Sequence, residues 1–452
     1  MGKIHPRFPS DIFLPPFPDP VRGSMVSHPV LRAFAYRDYR LYFAGQLVSL
    51  IGTWMQNVAQ AWLVYRMTGS EVMLGRVAFA GQFPVFLLAS FGGSLADVHD
   101  RHRIIVLAQA AALLQAAALA ALTLTGQVQV WHVFALAACQ GAINAFDIPA
   151  RQAFVGDMVG RADLMNAIAL NSSMFNGARI VGPAIAGLLV AAVGEGWCFA
   201  LNAASYLAVL AGLLAMRRPE FVPRPRSGSN LAHMAEGFRF VARTAPIRSL
   251  LVLLGLVSLM GMPYSVLMPI FADRILGGGA RGLGILMGAS GVGALAAALL
   301  LASRSGVRGL GRWVAWASAG FGVALIAFAQ SRSFWLSAAL LVPVGFAIMT
   351  QMAASNTLMQ AMVPDALRGR VIAVYSMMFM GMAPVGALLA GTLAVRLGAP
   401  GTVALGGVAC IAGAIAFGLH LPSLRVEGRR LLVAQEAAGG DPPEEHSGGV
   451  PA

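Results

Sequence analysis

The sequence predicts an all-α membrane protein in which twelve transmembrane helices form two pseudo-symmetric six-helix bundles. Composition is the first reason: 58% of the 452 residues are hydrophobic and only 11% are charged, whereas a soluble domain carries roughly 25% charged residues. The second reason is a set of twelve apolar runs, each long enough to cross a bilayer core about 30 Å thick. The third is an internal repeat that relates the two halves of the chain.

The basic residues and cysteines exclude several function classes. Only Lys3 of the 32 basic residues is a lysine. It has just two residues before it, so it cannot end the Gly-rich phosphate loop of an ATP-driven pump. Lysine Schiff-base chemistry is excluded too, except at Lys3. The net charge of +13 does not indicate a nucleic-acid partner, because the arginines are spread between apolar runs. The three cysteines lack metal-ligand spacing, so we expect no metal and no cofactor.

The elements follow in chain order. Residues 1–38 predict a flexible cytoplasmic arm, because residues 1–30 contain seven prolines and no apolar core of signal-peptide length. Residues 39–216 predict the first bundle, with spans at 40–65, 73–96, 104–125, 129–153, 166–193 and 197–216. Residues 249–421 predict the second, with spans at 249–271, 282–303, 312–330, 334–358, 371–395 and 401–421. Residues 422–452 turn charged and then Gly/Pro-rich, which predicts a disordered cytoplasmic tail.

Residues 217–248 predict a cytoplasmic linker that contains an amphipathic helix. Its apolar residues at helical spacing are Leu231, Met234, Phe238 and Val241, opposite His233, Glu236, Arg239 and Arg243. This pattern is typical of a helix that lies at the membrane surface. An ordinary solvated basic linker is the alternative.

The arginines orient the chain. With both termini cytoplasmic, 25 arginines and lysines fall on the cytoplasmic side. Six fall on the opposite side: Arg66, Arg76, Arg274, Arg281, Arg332 and Arg396. This bias is the positive-inside pattern, and it predicts a multi-pass membrane protein with both termini cytoplasmic.

The internal repeat relates residues 158–194 to residues 362–398 at an offset of 204, with 15 of 37 positions identical. Glycines and serines recur as well as apolar residues, as in Ser172 and Ser376 or Gly182 and Gly386. We therefore expect a duplicated unit of six helices, in which both copies have the same orientation.

Two motifs resemble those of the major facilitator superfamily of transporters. Residues 93–103 resemble its loop signature between helices two and three, with Val98 and Asp100 as departures. Residues 178–187, which include Gly182, Pro183 and Gly187, resemble the helix-five motif associated with antiporters. Residues 45–57, 147–152 and 364–370 are similar to a bacterial exporter branch that includes enterobactin exporters and macrolide efflux proteins. The resemblance implies a cytoplasmic gate made of Gly93, Asp97, Arg101, Gly369 and Arg370.

Three ionisable residues fall inside predicted spans, and intramembrane charge is a functional candidate because it is costly. They are Asp147, Arg151 and Arg179. Three stripes at helical spacing contain polar residues, namely Gln140, Asn144, Asp147 and Arg151; Ser172, Asn176, Arg179 and Pro183; and Gln46, Ser49, Thr53, Asn57 and Gln60. If the three stripes face each other, they would line a water-filled cavity in which protons are coupled and substrate is bound. A structural pair of Asp147 with Arg151 is the alternative.

The second half contributes methionine instead of charge. At the offset of 204, Asp147 corresponds to Gln351 and Arg179 to Ala383, so ion coupling is predicted in the first half. The expected cavity-lining residues of the second half are Gln351, Met352, Asn356 and Met378. Methionine repacks around apolar ligands of different shapes, although ordinary helix packing explains these residues equally well.

The leading hypothesis is a proton-coupled exporter of amphipathic small molecules such as drugs, macrolides or siderophores. An importer or uniporter of a polar nutrient is the alternative, favoured by the glutamines of the first span. A non-transporting membrane enzyme or receptor is a third class, but it needs paired His, Asp or Glu at one depth. The expected partners are the transported molecule, protons and membrane lipid, with no nucleic acid, and a monomer suffices.

Overall fold

The computed structural model describes residues 29–160, 162–217, 230–304 and 306–437, and this part of the chain contains helices and no strand. A short 3-10 helix, Pro29–Ala35, comes first. The α-helices are α1 (Arg37–Thr68), α2 (Glu71–Val98), α3 (Arg101–Leu124), α4 (Val130–Met158), α5 (Leu164–Val193), α6 (Glu195–Leu214), α7 (Asn230–Arg243), α8 (Ala245–Ile275), α9 (Gly279–Ala302), α10 (Leu310–Gln330) and α11 (Phe334–Met362). The last stretch, Asp365–Ala437, is divided at Gly398 into α12 (365–397) and α13 (399–437).

Ten helical stretches in the described part of the chain are long and apolar enough to cross a membrane. They are α2–α6, α8–α11 and one stretch, Leu367–Gly428, that contains both α12 and α13. Helix α1 has 32 residues and is also long enough, but charged residues at its ends and several glutamines lower its hydropathy. Counting α1 and separating α12 from α13 gives the twelve long helices that the sequence predicts.

Local sequence explains where helices begin and end. The Ser70 hydroxyl accepts a hydrogen bond from the Met73 amide at the start of α2, and Asp100 accepts one from the His102 amide at the start of α3. Each satisfies an amide that has no partner inside its helix. Gly398 has φ 70° and ψ 164°, which is not helical and which glycine adopts without steric cost. The chain therefore turns there between the last two spans.

The helices pack as two bundles. In the first, α1 packs against α5 and α6, α2 against α4, and α3 against α4 and α6. In the second, α9 packs against α11, and α10 against both α11 and the last helical stretch. The bundles meet through α2 against α12 and α5 against α9.

Helix α8 is irregular. Turns of π-helix at Val257–Gly261 and Phe271–Ile275 flank a 3-10 turn at Met262–Ser265. Pro263 and Pro269 lie between the two π segments, and proline removes an amide donor from the helical ladder. Its counterpart in the repeat, α1, is continuous.

Two predicted terminal segments differ in the structure. Helix α13 continues past Leu421 to Ala437, whereas the sequence predicts a disordered tail from residue 422. Leu421 and Leu424, at the start of this extension, pack against the main apolar core. In the predicted arm, the Ala33 amide donates a hydrogen bond to Asn166 Oδ1 at 2.9 Å. Residues 1–28 of the arm and 438–452 of the tail lie outside the described residues.

Helix α7 lies within the predicted linker and packs against α8 and the last helical stretch. On its predicted apolar side Val241 is 8% exposed, whereas Phe238 is 40% exposed. On the other side Arg239 and Arg243 are exposed. The side chains of Leu231, His233 and Met234 lie outside the described residues, so only the second half of the amphipathic pattern is described.

Candidate functional site

The centre of the first bundle contains a buried ion pair. Asp147 and Arg151 are one turn apart on α4, and Arg151 Nε lies 2.7 Å from Asp147 Oδ2. Gln109 of α3 donates a hydrogen bond of 3.0 Å to the other carboxylate oxygen. Asp147 is 4% exposed. A charge at this depth is stable only when it is paired, so anything that neutralises Asp147 leaves Arg151 without its partner.

A small enclosed cavity adjoins this pair. Its volume is about 30 Å³, enough for one or two water molecules among polar groups. Its lining residues come from α1, α3, α4 and α6 and are Gln46, Ser49, Leu50, Thr53, Gln109, Ala112, Gln140, Ile143, Asn144, Asp147, Arg151 and Tyr206. The polar stripes of α1 and α4 therefore meet inside the first bundle, whereas Asn176 and Arg179 of α5 are not part of the lining.

A chain of buried amides crosses the same bundle. Asn202 of α6 donates to Gln56 Oε1 at 2.8 Å, and Gln56 of α1 donates to Gln115 Oε1 at 3.1 Å. Gln115 of α3 then donates to the carbonyl oxygen of Leu136 on α4 at 3.1 Å. The chain thus links four helices. These buried amides were not predicted from the sequence, although Gln109 and Gln115 in the Ala/Leu-rich third span were a visible signal.

Arg179 lies near the middle of α5, away from the ion pair. Its guanidinium carbon is 5.9 Å from the centre of the Trp54 ring of α1. Phe175, one turn earlier, packs edge-on against Trp54 with 5.7 Å between ring centres. Asn176 is 5% exposed and donates to the Ser172 carbonyl oxygen. The structure thus does not bring Arg179 into contact with Asp147.

The remaining expected lining residues have different environments. On α1, Asn57 is exposed and Gln60 half-buried. On α11, Gln351 is 0% exposed, and neither end of its amide has a hydrogen-bond partner among the described residues. Met352, Asn356 and Met378 are half-buried. Asn356 accepts a hydrogen bond from Gln360.

The five expected gate residues do not meet. Arg101 binds both carboxylate oxygens of Asp157, at the end of α4, at 2.9 Å. Asp97 is exposed and has no hydrogen bond or ion pair among the described residues. Arg370 instead pairs with Glu236 of α7. A Cβ added at Gly93 or Gly369 would meet no atom within 4 Å, so neither gate glycine is packed against the other bundle.

The helix-five glycines lie at close helix contacts. A Cβ at Gly182 would lie 2.5 Å from Trp54 Cβ of α1. A Cβ at Gly187 would lie 3.0 Å from the Ala280 carbonyl oxygen and from Gly284 Cα of α9, beside Pro183. The helix-five motif therefore packs α5 against its own bundle on one side and against the second bundle on the other.

The opposite end of the molecule is closed by polar contacts between the bundles. We call Tyr65, Glu71, Asp273 and Arg274 the clasp. Tyr65 donates to Asp273 Oδ2 at 2.7 Å, and Arg274 pairs with Glu71 at 3.2 Å. Arg274 also donates to the Gly69 carbonyl oxygen at 2.8 Å. These charges lie at the ends of spans, so they were not predicted as functional candidates, which were chosen among charges inside the spans.

Known proteins of similar sequence are transporters. The family model described as "Transmembrane secretion effector" matches residues 30–431. The multidrug efflux pump Tap of Mycolicibacterium fortuitum is 30% identical over 83% of this chain and 93% of its own length. The staphyloferrin A transporter of Staphylococcus aureus is 24% identical over 82% of this chain and 93% of its own. The enterobactin exporter of Shigella boydii is 26% identical over 78% of this chain and 85% of its own.

Solved structures share the fold at low sequence identity. A POT family transporter in complex with 5-aminolevulinic acid superimposes with a TM-score of 0.72 over 86% of this chain and 97% of its own, at 11% identity. A bacterial homolog of the lysosomal transporter Spinster has a TM-score of 0.62 over 90% of this chain and 99% of its own, at 14% identity. The protein is a multi-pass membrane transporter and not an enzyme, and it belongs to the transmembrane secretion effector family of the major facilitator superfamily.

Proposed function

We propose that this protein exports amphipathic small molecules in exchange for protons, by alternating access. The observation that carries the proposal is the buried Asp147–Arg151 pair beside a cavity of water size. A carboxylate that holds an arginine in a buried site can exchange that partner for a proton. Each exchange changes the charge inside the bundle, and this change can favour one arrangement of the helices over another.

Protonation of Asp147 would release Arg151. The freed guanidinium needs other acceptors, because an unpaired buried charge costs several kcal/mol. Residues of the adjoining cavity, such as Gln140 and Asn144, offer amide oxygens on the same helix. Gln109, which already binds the carboxylate, would hold the protonated acid in place. We therefore assign Asp147 as the proton carrier, with Arg151 as the group that responds to its charge.

Alternating access is supported by the way the two bundles meet. The clasp closes one end, while Asp97 and Gly369 lie open at the other. The predicted orientation places the arginine-rich loops in the cytoplasm of a bacterium whose inner membrane holds the protein, with both termini cytoplasmic. In that orientation the open end faces the cytoplasm, where an exporter takes up its substrate.

The alternative of a polar-nutrient importer has less support. It draws on the glutamines of α1, but Gln46 and Gln56 are 2% and 3% exposed and Gln56 is held in the amide chain. Related exporters of drugs and of a siderophore also favour amphipathic cargo.

Transport into everted membrane vesicles tests the proposal. Dyes, macrolides and siderophores should be screened for accumulation driven by a pH gradient, with and without a proton ionophore. We expect Asp147→Asn to abolish pH-driven accumulation. Glu427→Gln, which removes a carboxylate from the extension of α13 beyond its predicted span, is the matched control and should transport normally. Full pH-driven accumulation by Asp147→Asn would refute the coupling assignment.

A further inference from the structure

Arg179 is a cation without a counter-ion near the middle of a membrane helix. Helix α5 spans 30 residues, about 45 Å at 1.5 Å per residue, and Arg179 lies halfway along it. Among the described residues no carboxylate lies within 4.0 Å of its guanidinium, and it donates no hydrogen bond. The contrast with Arg151, which is paired with Asp147, is direct. Because unpaired charge in a membrane is costly, this arrangement needs a ligand or water.

The helix geometry directs Arg179 toward the space between the bundles. Val181 and Leu188 are exposed by 41% and 56%, and at 100° per residue they lie about 180–200° around α5 from Arg179. This exposed apolar side is the one that faces lipid. Phe175 is 47% exposed and lies within about 40° of Arg179. On either side of Arg179, Gly182 packs against α1 and Gly187 against α9 of the second bundle, so Arg179 points between these two helices, toward the other bundle.

An aromatic surface accompanies the charge. Trp54 lies 5.9 Å from the guanidinium, at the outer limit of a cation–π contact, and Phe175 packs edge-on against Trp54. Asn57 is exposed one turn further along α1. A planar guanidinium with free donors binds carboxylate or sulfonate groups through two parallel hydrogen bonds. Beside it, the two rings offer apolar contact to the rest of a bound molecule.

We propose that Arg179 is the anion-binding residue of the substrate site, and that the exported molecules are amphipathic anions with an apolar or aromatic body. This inference rests on the proposed function as an exporter and specifies what is exported. Trp54 and Phe175 contact the apolar body, while Arg179 binds the acidic group. Amphipathic cations are excluded from the same position by like-charge repulsion.

Equilibrium binding of two matched dyes tests this assignment. 1-Anilinonaphthalene-8-sulfonate and N-phenyl-1-naphthylamine share one ring system, but only the first carries an acidic group. Each is titrated by fluorescence against the full-length protein in zwitterionic-lipid nanodiscs, with empty nanodiscs subtracted. We expect the anionic dye to bind about tenfold more tightly than the neutral one, as expected for a charge-assisted contact.

Variants assign the preference to one residue. Arg179→Gln should remove the preference for the anionic dye, and Arg179→Lys should restore part of it because it keeps the charge. Arg332→Gln is the matched control, since it makes the same charge change in an exposed position. Thermal unfolding of each variant establishes that it is folded. If the wild-type protein binds both dyes equally, or Arg179→Gln keeps the preference, the inference is wrong.

The two proposals fail separately. Dye binding is measured at one pH without a gradient, so its result is independent of Asp147 and of proton coupling. Equal binding of both dyes by the wild-type protein, together with intact pH-driven transport, would refute only the substrate class. Intact anion preference with transport that is insensitive to Asp147→Asn would refute only the coupling.

Discussion

The contact between α5 and α9 predicts that one added methyl group will change the conformation of the transporter. A Cβ at Gly284 would lie 2.5 Å from the Pro183 carbonyl oxygen and 2.9 Å from Gly187 Cα. Both are backbone atoms, so no side-chain rotation relieves the overlap. Ordinary contact requires the helices to separate by about 1 Å. This contact lies near the start of α9, close in sequence to Arg274 of the clasp. Gly284→Ala should therefore destabilise the arrangement in which the clasp end is closed.

The magnitude follows from the cost of overpacking, which is about 1–3 kcal/mol in a close-packed interior. If this cost falls on the closed arrangement alone, the ratio of closed to opened molecules falls roughly 5- to 150-fold. Gly288→Ala is the control on the same helix, because its Cβ would lie 3.7 Å from the Ile180 carbonyl oxygen, an ordinary contact.

Spin labels report this shift. Cysteines placed at the exposed positions Arg76 and Arg332 carry one label in each bundle, after replacement of the exposed Cys139. Pulsed distance measurements should show a longer population in Gly284→Ala and the wild-type distribution in Gly288→Ala. Identical distributions in wild type and Gly284→Ala, in folded protein, would refute the reasoning.

Two further predictions concern polar contacts. Glu71→Gln removes the charge of the clasp ion pair with Arg274, a partly exposed pair worth about 0.2–1 kcal/mol, so the same labels should show up to about fivefold more opened molecules. Arg274→Gln also removes the hydrogen bond to the Gly69 carbonyl oxygen, so its effect should be at least as large, and adding Glu71→Gln to it should change little. Asn202→Leu removes the donor to Gln56 Oε1 and leaves a buried acceptor unsatisfied, at a cost of about 1–3 kcal/mol. The unfolding temperature of Asn202→Leu, measured in nanodiscs, should be lower than that of the wild type. The unfolding temperature of Asn57→Leu, at an exposed position, should be unchanged. Equal unfolding temperatures for Asn202→Leu and wild type would contradict a stabilising role for the amide chain.

The sequence predicted the fold well because membrane burial leaves a strong one-dimensional signal. Apolar runs identified the spans, and the repeat at an offset of 204 residues identified two equivalent bundles. Where packing rather than hydropathy determines the end of a helix, the sequence did not predict it. Helix α13 continues to Ala437, and Leu421 and Leu424 pack against the main apolar core. Composition alone does not reveal this packing.

Prediction of the site was uneven for a similar reason. A charge inside an apolar run is visible in sequence, so Asp147, Arg151 and Arg179 could be named as candidates. Which helix each one faces depends on rotation and packing, and the expected contact of Arg179 with the Asp147 site is absent. The clasp depends on Asp273 meeting Tyr65 across the two bundles, a pairing between distant residues that periodicity cannot supply.

Proton movement in proteoliposomes tests the central claim most directly. Purified protein is reconstituted with a trapped pH-sensitive dye, and an outward or inward gradient of a substrate identified in the vesicle screen is imposed. We predict that substrate flow drives protons in the opposite direction through the wild-type protein. In Asp147→Asn, the substrate gradient should produce no proton movement. Equal proton movement in wild type and Asp147→Asn would contradict the assignment of Asp147 as the proton carrier.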